Sequence, residues 1–111
     1  MPIMADRLRG MTPHLVADVV LYSTESGGKR IPALHGFGCP CMVSKTEPLL
    51  GYDARLILDE PLHPGQARRI GFVFLHRASV NVMLEARHFF LWEGKFIGEA
   101  TVVRRRSASR L

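Results

Sequence analysis

Apolar residues recur at every second position over several short stretches of the chain, which is typical of β-strands that bury one face. In the clearest stretch, Tyr52, Ala54, Leu56 and Leu58 alternate with residues that are polar apart from one isoleucine. Enrichment in β-branched and aromatic residues supports the same assignment elsewhere. The predicted strands cover residues 15–22, 39–46, 52–58, 67–75, 82–92 and 96–103.

The alternation also predicts which side chains share a face. Ala17, Val19 and Leu21 lie on one face of the first strand, and Ile70, Phe72 and Phe74 point inward from the fourth. In the last strand Gly98 and Ala100 are small, so we expect another backbone or a large side chain to pack close there. In the fifth strand the apolar positions change parity between Leu84 and Phe89, so we expect a bulge or a break.

Glycine and proline mark the turns between these strands. Gly27 and Gly28 end the first strand, because glycine enters positive φ without steric cost. Pro64-Gly65 suits the centre of a type II turn, and Glu93-Gly94 suits a tight hairpin. About six short strands with almost no helical period predict an all-β fold, a small antiparallel closed β-barrel. We expect a flexible arm over residues 1–14, the barrel over 15–103 and a basic disordered tail over 104–111.

The excursion between the first two strands, residues 23–38, is long for a connection, and loops of this length are often functional. Its Ile31, Ala33, Leu34 and Phe37 lead us to expect that it packs down onto the barrel.

The net charge is +5, which invites a nucleic-acid interpretation. Arg104, Arg105, Arg106 and Arg110 supply four positive charges and the segment 6–9 supplies one, so residues 10–103 are neutral. The basic tail is either a solubilising end or a salt-sensitive phosphate contact. We expect a cytoplasmic protein, because the chain shows no secretory leader and no apolar run long enough to span a membrane.

The residues that carry chemistry elsewhere show no catalytic spacing here. No phosphate-binding loop follows Gly27-Gly28-Lys29, and Asp59-Glu60 fits a solvated turn better than an acid–base pair. Cys39 and Cys41 with His35 lack the spacing of a zinc site. We place the two cysteines on opposite faces of a strand and expect free thiols. We therefore expect no enzyme activity, no metal and no cofactor.

The order of landmarks resembles the C-terminal domain of elongation factor Tu. The opening of that domain is matched first, then its proline–glycine turn at His63-Pro64-Gly65, and finally its glycine hairpin at residues 92–98. The matching residues of the opening are Ala17, Val19, Gly27, Gly28, Lys29, Pro32, Gly36 and Phe37. The resemblance covers residues 17–103, most of the chain, and implies an accessory barrel without its GTPase domain.

In that family the domain contacts aminoacyl-tRNA through segments that correspond to Lys29-Arg30, Phe37-Gly38 and Glu93-Gly94 of this chain, so the resemblance implies RNA binding, and tRNA in particular. The RNA-binding candidates are Lys29, Arg30, Glu93, Gly94 and Lys95. Gly38 stands where the family has an arginine, which removes one phosphate donor.

The alternative is a module for protein–protein interaction or homo-oligomerisation. In the family this barrel packs against other domains, so a lone copy would expose that surface. The interaction candidates are Ile31, Leu34, Phe37 and Trp92. Trp92 is also compatible with packing in the core.

Overall fold

The structure, a computed structural model, describes residues 11–103. The predicted arm up to residue 10 and the basic tail after residue 103 lie outside the described residues. The strands are β1 (Leu15–Leu21), β2 (Gly38–Met42), β3 (Gly51–Ile57), β4 (Ala67–Phe74), β5 (His88–Trp92) and β6 (Phe96–Val102). One helix, α1 (Arg77–Ala86), and a 3-10 turn, Thr24–Ser26, complete the secondary structure of this range.

The six strands form a closed antiparallel barrel in the order β1-β4-β3-β2-β5-β6, and β6 pairs with β1 to close it. Ala17 of β1 lies opposite Ile70 of β4, while Val19 lies opposite Ala100 of β6. Every strand has a partner on each side, although β2 and β5 pair only at Cys41 with Leu91 and Met42 with Phe90, so the barrel leaves little sheet edge to which another chain could add a strand. The predicted fold class is confirmed.

The interior holds the side chains that the alternation placed inward. Ala17, Val19 and Leu21 are buried, as are the inward residues of β4. Three phenylalanines meet in the core, where the Phe89 ring lies edge-on to Phe72 at 5.4 Å and to Phe74 at 6.4 Å between centroids. Aromatic pairs favour this geometry, so the core has specific packing as well as burial.

Helix α1 is the largest departure from the predicted fold. We predicted a strand from residue 82 and almost no helical period, and both predictions are wrong. Ser79 and Met83, four residues apart, face inward, and Met83 joins the barrel core. The parity change, for which we expected a bulge or a break, is a break: the boundary between α1 and β5, where Arg87 takes φ 67° and its N–H donates to Met83 O.

The second strand is also shorter than predicted, since β2 ends at Met42 and residues 43–50 form a connection. Cys39 and Cys41 both point into the barrel, so placing them on opposite faces was wrong. Residues i and i+2 of a strand lie on one face. Both are free thiols, as predicted.

The small residue predicted to allow close packing in β6 does so. A Cβ atom on Gly98 would lie 2.6 Å from the carbonyl oxygen of Val20. The expected turns are present as well, with φ 89° at Gly65 and φ 73° at Gly94. His14, which we assigned to the arm, extends the pairing of β1 with β4 by donating its N–H to Phe72 O.

Candidate interaction surface

The connection between β1 and β2 is an ordered loop built on its glycines. Ser23 caps the 3-10 turn, and Gly27 closes it with φ 95°. The Gly28 N–H donates to Ser23 O at 2.8 Å, and a Cβ at Gly28 would lie 2.1 Å from Tyr22 O. The chain can therefore fold back this tightly only with glycine at position 28.

Lys29 follows this bend and is buried, with 5% of its side chain exposed. Its Nζ donates to Glu93 Oε1 at 2.7 Å and lies 4.5 Å from the centre of the Phe37 ring. A buried ammonium needs both an opposite charge and donor–acceptor partners, and these two residues provide them. The structure thus brings Glu93, 64 residues further along the chain, to two predicted site residues of the first loop.

This geometry separates the RNA-binding candidates into two groups. The ammonium of Lys29 and the carboxylate of Glu93 are engaged with each other, so in this conformation Lys29 presents no free charge to a phosphate. Arg30 and Lys95 are exposed beside that pair on the same two segments, and Gly94 shapes the hairpin. RNA binding by these residues stays a prediction.

Ile31 and Leu34 stand out from the same loop with 66% and 59% of their surface exposed. Between them Ala33 is buried and pairs with Leu62. The Ala33 N–H donates to Leu62 O and the Leu62 N–H donates to Ala33 O, with nitrogen-to-oxygen distances of 2.8 and 2.9 Å. Our expectation that this loop packs down therefore holds for Ala33 and Phe37 and is wrong for Ile31 and Leu34. The backbone is fixed, while two large aliphatic side chains lie in water.

The other two interaction candidates are half-buried. Phe37 packs against the core and under the Lys29 ammonium. Trp92 lies on the outer face of β5, where its ring meets Phe96 edge-on at 4.9 Å between centroids. Neither is exposed as fully as Ile31 or Leu34.

One outward-facing cluster of side chains was not predicted from the sequence. The Nζ of Lys45 lies 4.9, 5.0 and 5.4 Å from the ring centres of Tyr22, Phe90 and Phe96. The Tyr22 hydroxyl donates to Glu99 Oε2 at 2.9 Å. Burial is the main reason why the pKa of Tyr22 is raised, while the nearby Lys45 opposes that rise.

The signal that could have revealed this cluster is the composition of β5. His88, Phe90 and Trp92 share the face opposite to buried Phe89 and Leu91, so the strand carries aromatic rings on a face that would otherwise be polar. His88 also hydrogen-bonds Glu99 through Nε2 at 2.9 Å.

The buried Cys41 does not resemble a nucleophile. Contact with Cys39, together with burial, raises the pKa of the Cys41 thiol strongly. A protonated thiol in the core is unreactive. Within residues 11–103, no group of three His, Cys, Asp or Glu side chains could hold a metal ion.

Two surface grooves lie away from the predicted site residues. One of about 690 Å³ runs between residues 12–16, α1 and the end of β6, and another of about 450 Å³ lies over β2, β3 and β4. None of the nine predicted site residues lines either groove. In the described part of the chain, no helix is both long and apolar enough to cross a membrane.

No protein-family model matches the sequence, and none of the curated proteins compared with it matches. The resemblance to the C-terminal domain of elongation factor Tu therefore stays a prediction.

Proposed function

We propose that this chain is a non-catalytic protein-interaction module whose contact surface is the loop that carries Ile31 and Leu34. The observation that carries the proposal is the exposure of these two aliphatic side chains, 66% and 59%, on a loop fixed by the Lys29–Glu93 pair and the Ala33–Leu62 bridge. A fixed loop loses little conformational freedom on binding, so less of the interaction free energy is spent on ordering it.

The apolar surface in question is small but sufficient for an anchor. Burying a whole leucine or isoleucine side chain contributes about 1.5–3 kcal/mol. Covering the exposed remainder of both residues would thus supply about 2–4 kcal/mol before the costs of association. Because the barrel leaves little free sheet edge, we expect side chains and loops to make the contact.

A photo-crosslinking amino acid at position 34 tests this role in cells. We expect discrete crosslinked products that diminish when Ile31 is changed to Asp in the same chain. Position 75 is the matched control, because Leu75 is 71% exposed but lies away from the loop. Leu75 follows β4, and its N–H donates to Asp53 O near the start of the neighbouring strand β3. Equal crosslinking from positions 34 and 75, or none from position 34, would contradict the proposal. Light scattering on the purified protein would identify a second copy as the partner.

RNA binding is a second proposal, supported by exposed Arg30 and Lys95 on adjacent segments. Binding to tRNA should weaken steeply with salt, and changing both residues to Ala should reduce the salt slope by about 1 for each phosphate that the variant no longer neutralises. Changing Arg104, Arg105 and Arg106 to Ala controls for the tail. If only the tail variant loses binding, the barrel is not the RNA site.

We also propose a relation to the C-terminal barrel domain of elongation factor Tu. This proposal is supported by where the matching segments lie, since each forms a bend of the closed barrel. Gly27 and Gly28 follow β1, His63-Pro64-Gly65 precedes β4, and Glu93-Gly94 joins β5 to β6.

A further inference from the structure

We propose that Tyr22, Phe90 and Phe96 form a binding site for an N-methylated ammonium group, and that Lys45 of the same chain occupies this site in the free protein. The three ring centres lie within 5.4 Å of the Lys45 Nζ. Aromatic faces that surround one point attract a cation through their quadrupoles. This aromatic cage shares no residue with Ile31 or Leu34, so its failure would leave the proposed function untouched.

The walls of the aromatic cage are held in place by the barrel. The Tyr22 N–H donates to Ile97 O at 2.9 Å, and its hydroxyl is bound to Glu99. Phe90 and Phe96 belong to the paired strands β5 and β6, and their ring centroids are 6.1 Å apart. The backbone that carries the three rings is therefore fixed by contacts that do not involve Lys45.

The occupant belongs to a different element. Lys45 is an exposed residue of the connection between β2 and β3, three residues beyond the end of β2. It can leave the aromatic cage without breaking any strand pair. In this respect it is a tethered ligand that an external cation can displace.

The chemistry favours a methylated ammonium as the competitor. The primary ammonium of Lys45 is compact and strongly hydrated, so it loses much hydration on entering an aromatic site. Methylation weakens hydration and adds apolar contact, which is why aromatic cages recognise such groups. The Glu99 carboxylate, hydrogen-bonded to both Tyr22 and His88, adds negative charge at the rim.

Titration with tetramethylammonium, followed by NMR, tests the site. Ring currents should shift the N-methyl signal upfield in the bound state. Because Lys45 competes for the aromatic cage, Lys45→Ala should tighten binding about fivefold, the factor expected when a tethered cation–π competitor is removed. Lys45→Arg keeps a cation on the tether and should stay near the wild-type affinity. A natively folded Lys45→Ala protein that binds no more tightly than wild type would overturn the proposal.

Two comparisons identify the chemistry. 3,3-Dimethylbutanol, the neutral analogue of choline, should bind far more weakly than choline, and equal binding would overturn the role of charge. Trimethyl-lysine in a peptide and phosphocholine then distinguish a modified protein from a lipid headgroup as the source. Tighter binding of one probe supports the site and identifies that probe's class as the source of the ligand. Equal binding supports recognition of the trimethylammonium group that the two probes share.

The position of Lys45 in solution has its own readout. Lys45 opposes the rise in the pKa of Tyr22, so Lys45→Ala should raise that pKa further. Ultraviolet titration in a Tyr52→Phe background isolates Tyr22, since the chain has two tyrosines. An unchanged pKa would show that Lys45 does not occupy the aromatic cage.

Discussion

Removing the carboxylate of Glu93 tests whether the buried ammonium of Lys29 depends on it. In Glu93→Ala the ammonium keeps the Phe37 ring but loses its hydrogen-bond acceptor, while only 5% of the lysine side chain is exposed. In Lys29→Met the aliphatic stem remains and the charge is removed. The carboxylate left behind is 47% exposed, so water can solvate it.

The structure therefore predicts unequal effects from the two halves of one ion pair. An unsatisfied buried donor costs about 1–3 kcal/mol, and more when it is charged. Since water reaches one side of this pair, we expect about 2 kcal/mol of destabilisation for Glu93→Ala. Lys29→Met should cost less than about 1 kcal/mol, the range of a partly exposed ion pair.

Equilibrium urea unfolding measures both variants. A loss of about 2 kcal/mol lowers the midpoint by about 1–2 M at the m-values usual for small domains. The double variant completes the cycle and should be more stable than Glu93→Ala alone, because no unpaired ammonium remains. Hydrogen exchange should also rise in residues 31–37 of Glu93→Ala.

The result that would refute this reasoning is a reversed order. If Lys29→Met loses as much stability as Glu93→Ala, then desolvation of the ammonium is not the dominant cost. If neither variant changes stability or exchange, the pair does not fix the loop, and the presentation of Ile31 and Leu34 loses its basis.

Four single substitutions provide further tests. Arg87→Gly should stabilise the protein by about 0.5–1 kcal/mol, as measured by thermal unfolding. A side chain in left-handed backbone costs about 1–2 kcal/mol, and the larger conformational entropy that glycine loses on folding offsets part of the gain from removing it. Gly28→Ala should cost about 3 kcal/mol or more by urea unfolding, because its Cβ meets backbone. Gly38→Ala, whose Cβ meets only the end of an arginine side chain, should cost less than about 1 kcal/mol, and equal losses would contradict the explanation. The hydrogen bond from Arg69 lowers the pKa of Asp18 below 3.8. The stabilisation of the folded state by this hydrogen bond is therefore present above pH 3.8 and is lost as the pH falls through the lowered pKa. NMR titration of Arg69→Ala should return the pKa toward 3.8, and no movement would contradict the assignment.

The elements predicted from the sequence were those that depend on local periodicity. Five of the six strands were found near their observed positions, and the inward faces of β1 and β4 were correct. A strand of period two and its glycine turns follow from backbone geometry alone. The helix was missed because the strand that ends at Trp92 was extended back to residue 82, although residues 77–86 are rich in helix-forming alanine, arginine, methionine, leucine and glutamate. Ser79 and Met83, four residues apart, mark its buried face.

The candidate surface was predicted in part. Ile31 and Leu34 were named as interaction residues, and the structure exposes them. Lys29 was named as an RNA-binding candidate, although it is buried beside Glu93. Burial of a lysine is rare without a partner, and that partner lies 64 residues further along the chain.

What the sequence by itself determined is the set of strands and turns and the identity of most core side chains. Tertiary structure alone decided which loops meet. Closing β6 onto β1 brings the Lys29 loop to the β5–β6 hairpin, and pairing β2 with β5 brings Lys45 to three aromatic rings. The reason is physical, since alternation records only which way a side chain points, whereas ion pairs and cation–π contacts depend on the distance between segments that the closed barrel sets.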